Sequence, residues 1–192
     1  MTDIIQVMGH SQSEKTRNHD RIVEIASRRI RELGTDGPGV ADVMREAGLT
    51  HGGFYKHFGS REELVAEAAR RSYADAERAA QAVLDGADDP LRAFAEWYLS
   101  ESHRDDPGSG CPVVALGGEI PRARAEVRDA YTEQVRRYLH HLEESLGAGA
   151  DTSTLSTLVG ALLLARAVSD EQLSARILRD AREAVVSKRS GI

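Results

Sequence analysis

One short stretch of the chain, Leu49–Phe58, concentrates side chains that could contact a polar partner. Its polar side chains are those of His51, Tyr55, Lys56 and His57. Gly52 and Gly53 stand between them, although glycine costs about 1 kcal/mol relative to alanine inside a helix. That cost is explained when a backbone must approach a phosphate closely, because free N–H groups at a helix start bind anions. The stretch is predicted to contact phosphate groups, and a solvated surface helix is the alternative.

The preceding residues indicate how this stretch is positioned. Val40–Ala47 has apolar residues at helical spacing and predicts a short helix. Gly48 follows where a left-handed terminating residue is needed. Thr50 is a suitable N-cap for a second helix, in which Phe54 and Phe58 lie one turn apart and face the core. Helix, glycine turn and second helix form a helix-turn-helix, whose second helix lies in the DNA major groove.

The stretch Gly48–Leu64 closely resembles the DNA-binding signature of TetR-type transcriptional regulators. The likeness rests on a Tyr-x-His-Phe core followed by Ser-Arg-x-x-Leu, and it extends over about Thr16 to Tyr73. One departure is Pro38-Gly39, where family members often have a Ser or Thr cap. The resemblance implies an all-α fold of about nine helices: an N-terminal three-helix helix-turn-helix domain and a C-terminal ligand-binding and dimerisation bundle. The segment Gly110-Cys111-Pro112 resembles one subgroup of that family.

The resemblance and the residue types together assign the DNA contacts. Phosphate contacts are expected from Arg17, Thr50, Tyr55, Lys56, His57 and Arg61. Base edges are expected to meet His51, Gly52 and Gly53. Gly39 and Val40, at the start of the first motif helix, are also expected to contact DNA.

Charge is distributed unevenly along the chain. The net charge is −6, yet residues 1–71 carry as many basic as acidic side chains, so the acidic excess lies in residues 72–192. A protein that coats nucleic acid indiscriminately would be basic throughout. DNA contact must therefore come from a local patch, for which the candidates are Lys15, Arg17, Lys56 and Arg61.

The rest of the composition predicts a cytoplasmic protein. One cysteine excludes a disulfide framework. Residues 1–12 lack the pattern of a signal peptide. The most apolar window, Leu155–Ala167, contains Arg166 and is too short to span a membrane, so no membrane partner is expected. No cofactor, metal site or catalytic motif is predicted, and the chain is not expected to be an enzyme.

Turn residues divide the chain. Residues 1–59 are predicted to form the DNA-binding domain, with 1–15 as a flexible arm and the first helix starting at Thr16 or Asn18. Its buried stripe is predicted at Ile22, Ala26, Ile30 and Leu33. Residues 60–192 are assigned to ligand binding and dimerisation. A Ser60-x-x-Glu63 capping box starts the helix that links the two domains.

Further helices are expected in the second domain. They start at Pro90, near Arg122, at Asp151 or Thr152, and at Ser169 or Asp170, and a short buried helical segment is expected within Cys111–Ile120. In the helix from Arg122 to Leu146, the buried positions are predicted to include Val127, Tyr131, Val135, Tyr138 and Leu142.

The helix after residue 150 is apolar around much of its circumference, which indicates either full burial or an interface. We expect it to pair with a second chain, and a central helix of a monomer is the alternative. The predicted dimer contacts are Leu155, Leu158, Val159, Leu162, Leu163, Leu173 and Ile177.

An effector pocket is expected in the second domain. Its candidate lining is Phe94, Trp97, Tyr98, His103, Cys111, Tyr131 and Tyr138, each of which is also suited to ordinary core packing. Cys111 is either a small buried hydrophobe or a reactive thiol.

These predictions together favour a ligand-responsive transcriptional regulator. It would be a repressor that binds a palindromic operator as a homodimer and is released by a small apolar or amphipathic effector. The alternatives are a small-molecule enzyme or an architectural DNA-binding protein, either of which would retain the helix-turn-helix.

Overall fold

The computed structural model describes residues 2–37, 39–123, 125–146 and 151–187. These residues form helices and connecting turns, with no strand among them, which confirms the all-α prediction. The α-helices are α1 (Thr2–Leu33), α2 (Val40–Glu46), α3 (Arg61–Leu84), α4 (Pro90–Tyr98), α5 (Glu101–Asp105), α6 (Pro112–Leu116), α7 (Ala125–Leu146), α8 (Thr152–Ala167) and α9 (Glu171–Ser187). Two 3-10 helices span His51–Lys56 and Ile120–Arg122.

Helix α1 starts at Thr2, so the prediction of an irregular arm before Thr16 is wrong. The first proline of the chain is Pro38, and no earlier residue interrupts the backbone hydrogen bonding of a helix. Thr16 lies inside the helix, where its hydroxyl donates to the carbonyl of Gln12 at 3.1 Å.

The chain forms two compact units, Met1–Ser72 and Tyr73–Ile192, which divide inside α3. The assignment of separate roles to residues 1–59 and 60–192 stays a prediction. In the first unit, Ile22, Ala26 and Ile30 of α1 are fully buried, as predicted. They pack in a core completed by Val43, Met44, Phe54, Phe58, Leu64 and Ala68.

Leu33 was expected in the same stripe but is 57% exposed. The chain reverses at once after it, because Gly34 has a φ of 81°. Leu33 instead covers the turn from outside, and a Cβ at Gly37 would lie only 2.2 Å from its own Cβ. Glycine at 37 is therefore required by this close approach.

The second unit is built around the pair α8 and α9, with α4 and α6 packed against it and α7 packed against α4. Tyr138 and Leu142 of α7 are buried as predicted, and Tyr131 and Val135 are half-buried. Val127 is 44% exposed, which corrects its assignment to the buried stripe. It lies in a run of exposed residues, 127–130, so the first turns of α7 extend beyond the core.

Asp151, Asp170 and Ser60 cap their helices as predicted, and Asp89, just before the predicted start at Pro90, caps α4. Asp89, Asp151 and Asp170 each accept a backbone N–H from the first turn of α4, α8 and α9. Ser60 likewise accepts from the backbone of Glu63 at 3.1 Å, while the Glu63 carboxylate accepts from the N–H of Gly59 at 2.6 Å. Pro38 lies outside the described residues. Within the described part of the chain, each helix is too short or too polar to cross a membrane.

Candidate DNA-binding surface

The turn between the two motif helices is closed by backbone geometry. Gly39 is the N-cap of α2, with φ −70° and ψ 134°. Gly48 adopts a φ of 71°, a left-handed conformation that other residues rarely adopt. The N–H of Leu49 then donates to the carbonyl of Met44 at 2.8 Å and terminates the helix. This is the turn predicted from the position of Gly48.

The second motif helix is a 3-10 helix, His51–Lys56, and not the capped α-helix that the sequence predicts. Thr50 occupies the N-cap position, but its side chain makes no capping hydrogen bond. Its carbonyl instead accepts from the N–H of Gly53 at 2.9 Å. Two glycines lower the preference for a regular α-helix, and the tighter helix satisfies the first turn through the backbone.

Two phenylalanines hold this helix on the first unit. Phe54 and Phe58 are each 2% exposed, and their rings stack with centroids 5.5 Å apart. Because these rings point inward, the neighbouring side chains point outward: Tyr55 is 72% exposed and Lys56 is exposed. Thr50, His51 and Gly52 are exposed as well. We call the outward group of His51, Gly52, Tyr55 and Lys56 the recognition face.

The glycine of the recognition face is not required by the fold. Gly52 does not have a positive φ, and a Cβ built on it would meet nothing within 4 Å. At Gly53 a Cβ would make ordinary contacts of 3.6 Å with Met44 and Thr50. Neither backbone conformation nor internal packing therefore explains the absence of a side chain at 52. Open space at this position leaves room for an external partner to approach the backbone.

His57 lies beside the recognition face and is half-buried. Its pKa is lowered, first by burial and then by His19, Lys15 and Lys56. Lys15 of α1 and Lys56 are therefore both close to His57, as expected for two members of the predicted local basic patch. His19 is fixed in place because it stacks on Phe58 at 4.6 Å and bonds to Glu67 at 2.9 Å.

The remaining predicted DNA contacts lie in different settings. Arg17 is exposed on α1 and donates to Ser13 at 3.3 Å. Arg61 is half-buried and donates to the carbonyl of Thr35 at 2.7 Å, so its guanidinium holds the turn before α2. At the start of α2, Gly39 is exposed and Val40 is half-buried.

Comparison with known proteins decides the family. The sequence pattern of "Bacterial regulatory proteins, tetR family" matches residues 22–68, and that of "Tetracyclin repressor-like, C-terminal domain" matches residues 86–181. The chain belongs to the TetR family. It is a DNA-binding transcriptional regulator and not an enzyme. Its assignment to a subgroup with a Gly-Cys-Pro segment stays a prediction.

Individual relatives of this TetR-family chain are distant in sequence. The HTH-type transcriptional repressor DhaR of Mycobacterium sp. (strain GP1) is 22% identical over 142 residues, which are 73% of this chain and 71% of that protein. A TetR regulator from Chloroflexus aurantiacus J-10-FL has a TM-score of 0.78 at 20% identity, over 93% of this chain and 97% of that one. One from Cytophaga hutchinsonii has a TM-score of 0.74 at 18% identity, over 91% and 96% of the two chains. The two solved structures share the fold.

The predicted effector residues form one connected group in the second unit. Phe94 stacks on Tyr98 at 5.5 Å, and Trp97 stacks on His103 at 5.3 Å. Phe94, Tyr98, Cys111 and Tyr138 are buried, whereas Trp97, His103 and Tyr131 are half-buried. The structure adds Tyr73 and Arg166 to this group, which sequence spacing could not place there.

A separate open groove of about 480 Å³ lies between α3 and α7. Its lining is mostly charged or polar and comprises Ala74, Glu77, Arg78, Gln81, Arg137, His140, His141 and Glu144. None of the predicted effector residues lines this groove. These side chains are therefore poorly suited to binding an apolar effector.

Two of the predicted dimer contacts are internal. Leu158 and Leu162 are 1% and 0% exposed, because this side of α8 packs against other helices of its own chain. Their assignment to an interface is corrected to core. Leu163 is 43% exposed, and Leu155, Val159, Leu173 and Ile177 are half-buried. Leu164, which follows Leu163, is 52% exposed.

Proposed function

We propose that this regulator is a repressor that binds a two-fold symmetric operator as a homodimer and is released by a small apolar or amphipathic effector. The observation that carries the proposal is Gly52, which is exposed and bears no side chain although neither its φ nor its packing excludes one. A backbone position kept bare on an exposed, polar helix is suited to close approach by a DNA groove.

Contacts with DNA divide by chemistry. Lys56 and Tyr55 are exposed and have donors for phosphate oxygens, and exposed Lys15 of α1 adds a second charge near His57. His51, Gly52 and Gly53, at the start of the helix, are proposed to meet base edges. Arg61 is proposed to act differently, because its guanidinium is engaged by the carbonyl of Thr35 and orients α2.

Dimerisation is proposed to use the outer side of α8. Leu163 and Leu164 are adjacent and exposed, which is unusual for two large apolar side chains on a helix whose opposite side is core. Half-buried Leu155 and Val159 on α8, and Leu173 and Ile177 on α9, extend this apolar surface. A two-fold dimer would present two recognition faces to half-sites about 34–36 Å apart.

Release by an effector requires differential affinity for two states of the dimer. We propose that the effector binds in the second unit, where the aromatic group around Phe94 and Tyr98 is located. The ligand would favour a state in which the two recognition faces are wrongly spaced for the operator. A coupling of about 1–3 kcal/mol between the two sites is typical of such regulators.

A mobility-shift experiment tests this function. The labelled probe is the DNA immediately upstream of the gene for this protein, with scrambled DNA of the same length and composition as competitor. A repressor of the proposed kind should retain the probe against excess scrambled DNA, since specific binding typically exceeds non-specific binding by about 10³-fold or more. Equal competition by scrambled DNA would favour the architectural alternative.

A further inference from the structure

The groove between α3 and α7, in the second unit, is polar on both walls. Four residues of α3 and four of α7 line it at helical spacing, and seven of the eight are polar or charged. The core-facing positions of the same two helices are different residues, among them Ala76 and Ala80 of α3 and Tyr138 and Leu142 of α7. Core packing therefore does not account for the groove, whose volume of about 480 Å³ suits a small molecule.

A buried glutamine connects two charged side chains of this groove. Gln134 of α7 is 0% exposed. Its amide nitrogen donates to the carboxylate of Glu77 on α3 at 3.0 Å, and its amide oxygen accepts from the guanidinium of Arg137 at 2.7 Å. Only this orientation of the amide satisfies both partners, because a carboxylate accepts and a guanidinium donates. The amide thus holds a negative and a positive group at a set separation.

The two charged groups have no counter-ion of their own. In the described part of the chain, Glu77 and Arg137 form no ion pair, either with each other or with another residue, and the amide between them is neutral. Arg136, the residue before Arg137, does pair with a carboxylate, that of Glu133 at 3.5 Å. Glu77 is half-buried and Arg137 is exposed, so a ligand can reach both from solvent.

A third polar group of the groove lacks a hydrogen bond. His141 follows Arg137 by four positions on α7 and is half-buried. Its Nε2 is shielded from water and has no hydrogen-bond partner among the described residues. Buried polar groups are nearly always hydrogen-bonded. Residues four apart on a helix are neighbours, so a rotation of the imidazole would bring it to an acceptor bound at Arg137.

We propose that this groove binds a small zwitterion, a free α-amino acid. The Gln134 amide uses one oxygen of Glu77 and leaves the other for the ammonium group of the ligand. Arg137 and the turned His141 donate to the carboxylate of the ligand. Glu77 disfavours a ligand that is only an anion, and Arg137 disfavours one that is only a cation. The remaining lining is polar, which favours amino acids with polar side chains.

This site goes beyond the proposed function, in which an apolar effector binds the aromatic group around Phe94 and Tyr98. None of the residues of that group lines the groove. The regulator would therefore bind a second molecule of opposite chemistry at a separate place in the same unit. Binding at the groove requires no DNA, so it is measured on the free protein.

Isothermal titration calorimetry on the full-length protein tests the site. The probes are L-serine, L-asparagine and L-glutamine, and at least one should bind with a Kd of roughly 1 mM or below. For the tightest of them, the N-acetyl derivative retains only the carboxylate and the amide derivative retains only the ammonium. Each derivative should bind at least about 10-fold more weakly, because each loses one charged hydrogen-bonding group.

Variants assign the contacts. Glu77→Gln keeps an oxygen that accepts from Gln134, and it should weaken amino-acid binding at least about 10-fold, as should Arg137→Gln. His141→Phe keeps a ring of similar size and should weaken binding roughly threefold or more. Arg136→Gln is the matched control, because it removes one charge from the next position of α7 outside the groove. Its Kd should stay within about twofold of wild type.

Three results would each overturn the zwitterion site. The first is no binding of any of the three amino acids at about 10 mM. The second is a Kd equal to that of wild type for Glu77→Gln and Arg137→Gln, in variants whose thermal melts show them folded. The third is equal binding of the N-acetyl derivative, which would indicate a simple anion site. Failure to find an operator contradicts the proposed function, while the calorimetry still decides the fate of the groove.

Discussion

Replacing Gly52 by alanine should raise the stability of this protein while it weakens binding to DNA. The added Cβ meets nothing within 4 Å, and the residue does not have a positive φ. The substitution therefore introduces no internal strain. Alanine in place of glycine at a compatible position typically adds about 0.4–1 kcal/mol of stability, because the unfolded chain has less freedom to lose.

The expected effect on DNA binding has the opposite sign. If the DNA backbone or a base edge approaches Gly52 closely, the new methyl group occupies space that the complex needs. Overpacking by one methyl group in a close-packed setting costs about 1–3 kcal/mol. That range corresponds to operator binding weakened by roughly 5- to 150-fold.

Two assays on the same samples measure the two effects. Thermal melts give the change in stability, and fluorescence anisotropy with labelled operator gives the change in affinity. Gly118→Ala is the matched control, since a Cβ there also meets nothing within 4 Å and its φ is not positive, but it lies in the second unit. It should leave affinity unchanged. Unchanged operator affinity in Gly52→Ala, or a loss of stability, would refute the reasoning.

Other regions of the chain give further predictions. Leu163→Glu should convert the proposed dimer to a monomer in light scattering without lowering the stability of the monomer, and a Leu163→Glu protein that stays dimeric would contradict the proposed interface. Leu158→Ala should instead destabilise the fold by about 2–5 kcal/mol, because it empties a core position. Asp151→Ala should cost about 1 kcal/mol in chemical unfolding through loss of the α8 cap. Burial lowers the pKa values of His57 and His103 from their ordinary value of 6.5. At acidic pH the unfolded chain therefore binds more protons at these two histidines than the folded chain does, and the free energy of unfolding should fall as the pH drops below 6.5. His103→Gln should make that fall shallower in thermal melts, and an unchanged slope would contradict the assignment.

Local signals in the sequence predicted the turn of the helix-turn-helix, its buried phenylalanines and several helix caps. Gly48 is left-handed where the turn needs it, Phe54 and Phe58 are buried, and Asp151 and Ser60 cap their helices. Each of these depends on residues within a few positions of one another. The sequence did not predict the 3-10 form of His51–Lys56, because α- and 3-10 helices differ little in energy and backbone hydrogen bonds decide between them.

Long-range relations could not be predicted in the same way. Arg166 donates to the carbonyl of His103, 63 positions earlier, and periodicity carries no information about that pairing. Leu158 and Leu163 lie on one helix that is apolar nearly all round, so the pattern could not separate its core side from its exposed side. Only the packing of α9 and its neighbours against α8 distinguishes them.

The salt dependence of operator binding by Lys56→Ala tests the central claim, that the recognition face enters DNA, most directly. Each phosphate neutralised by a cation contributes about −0.9 to the slope of log affinity against log salt concentration. Lys56→Ala should weaken binding to operator and scrambled DNA about equally and reduce the magnitude of the slope by roughly one. Arg92→Ala, which removes one exposed charge from α4, should leave the slope unchanged. An unchanged slope in Lys56→Ala would contradict the account.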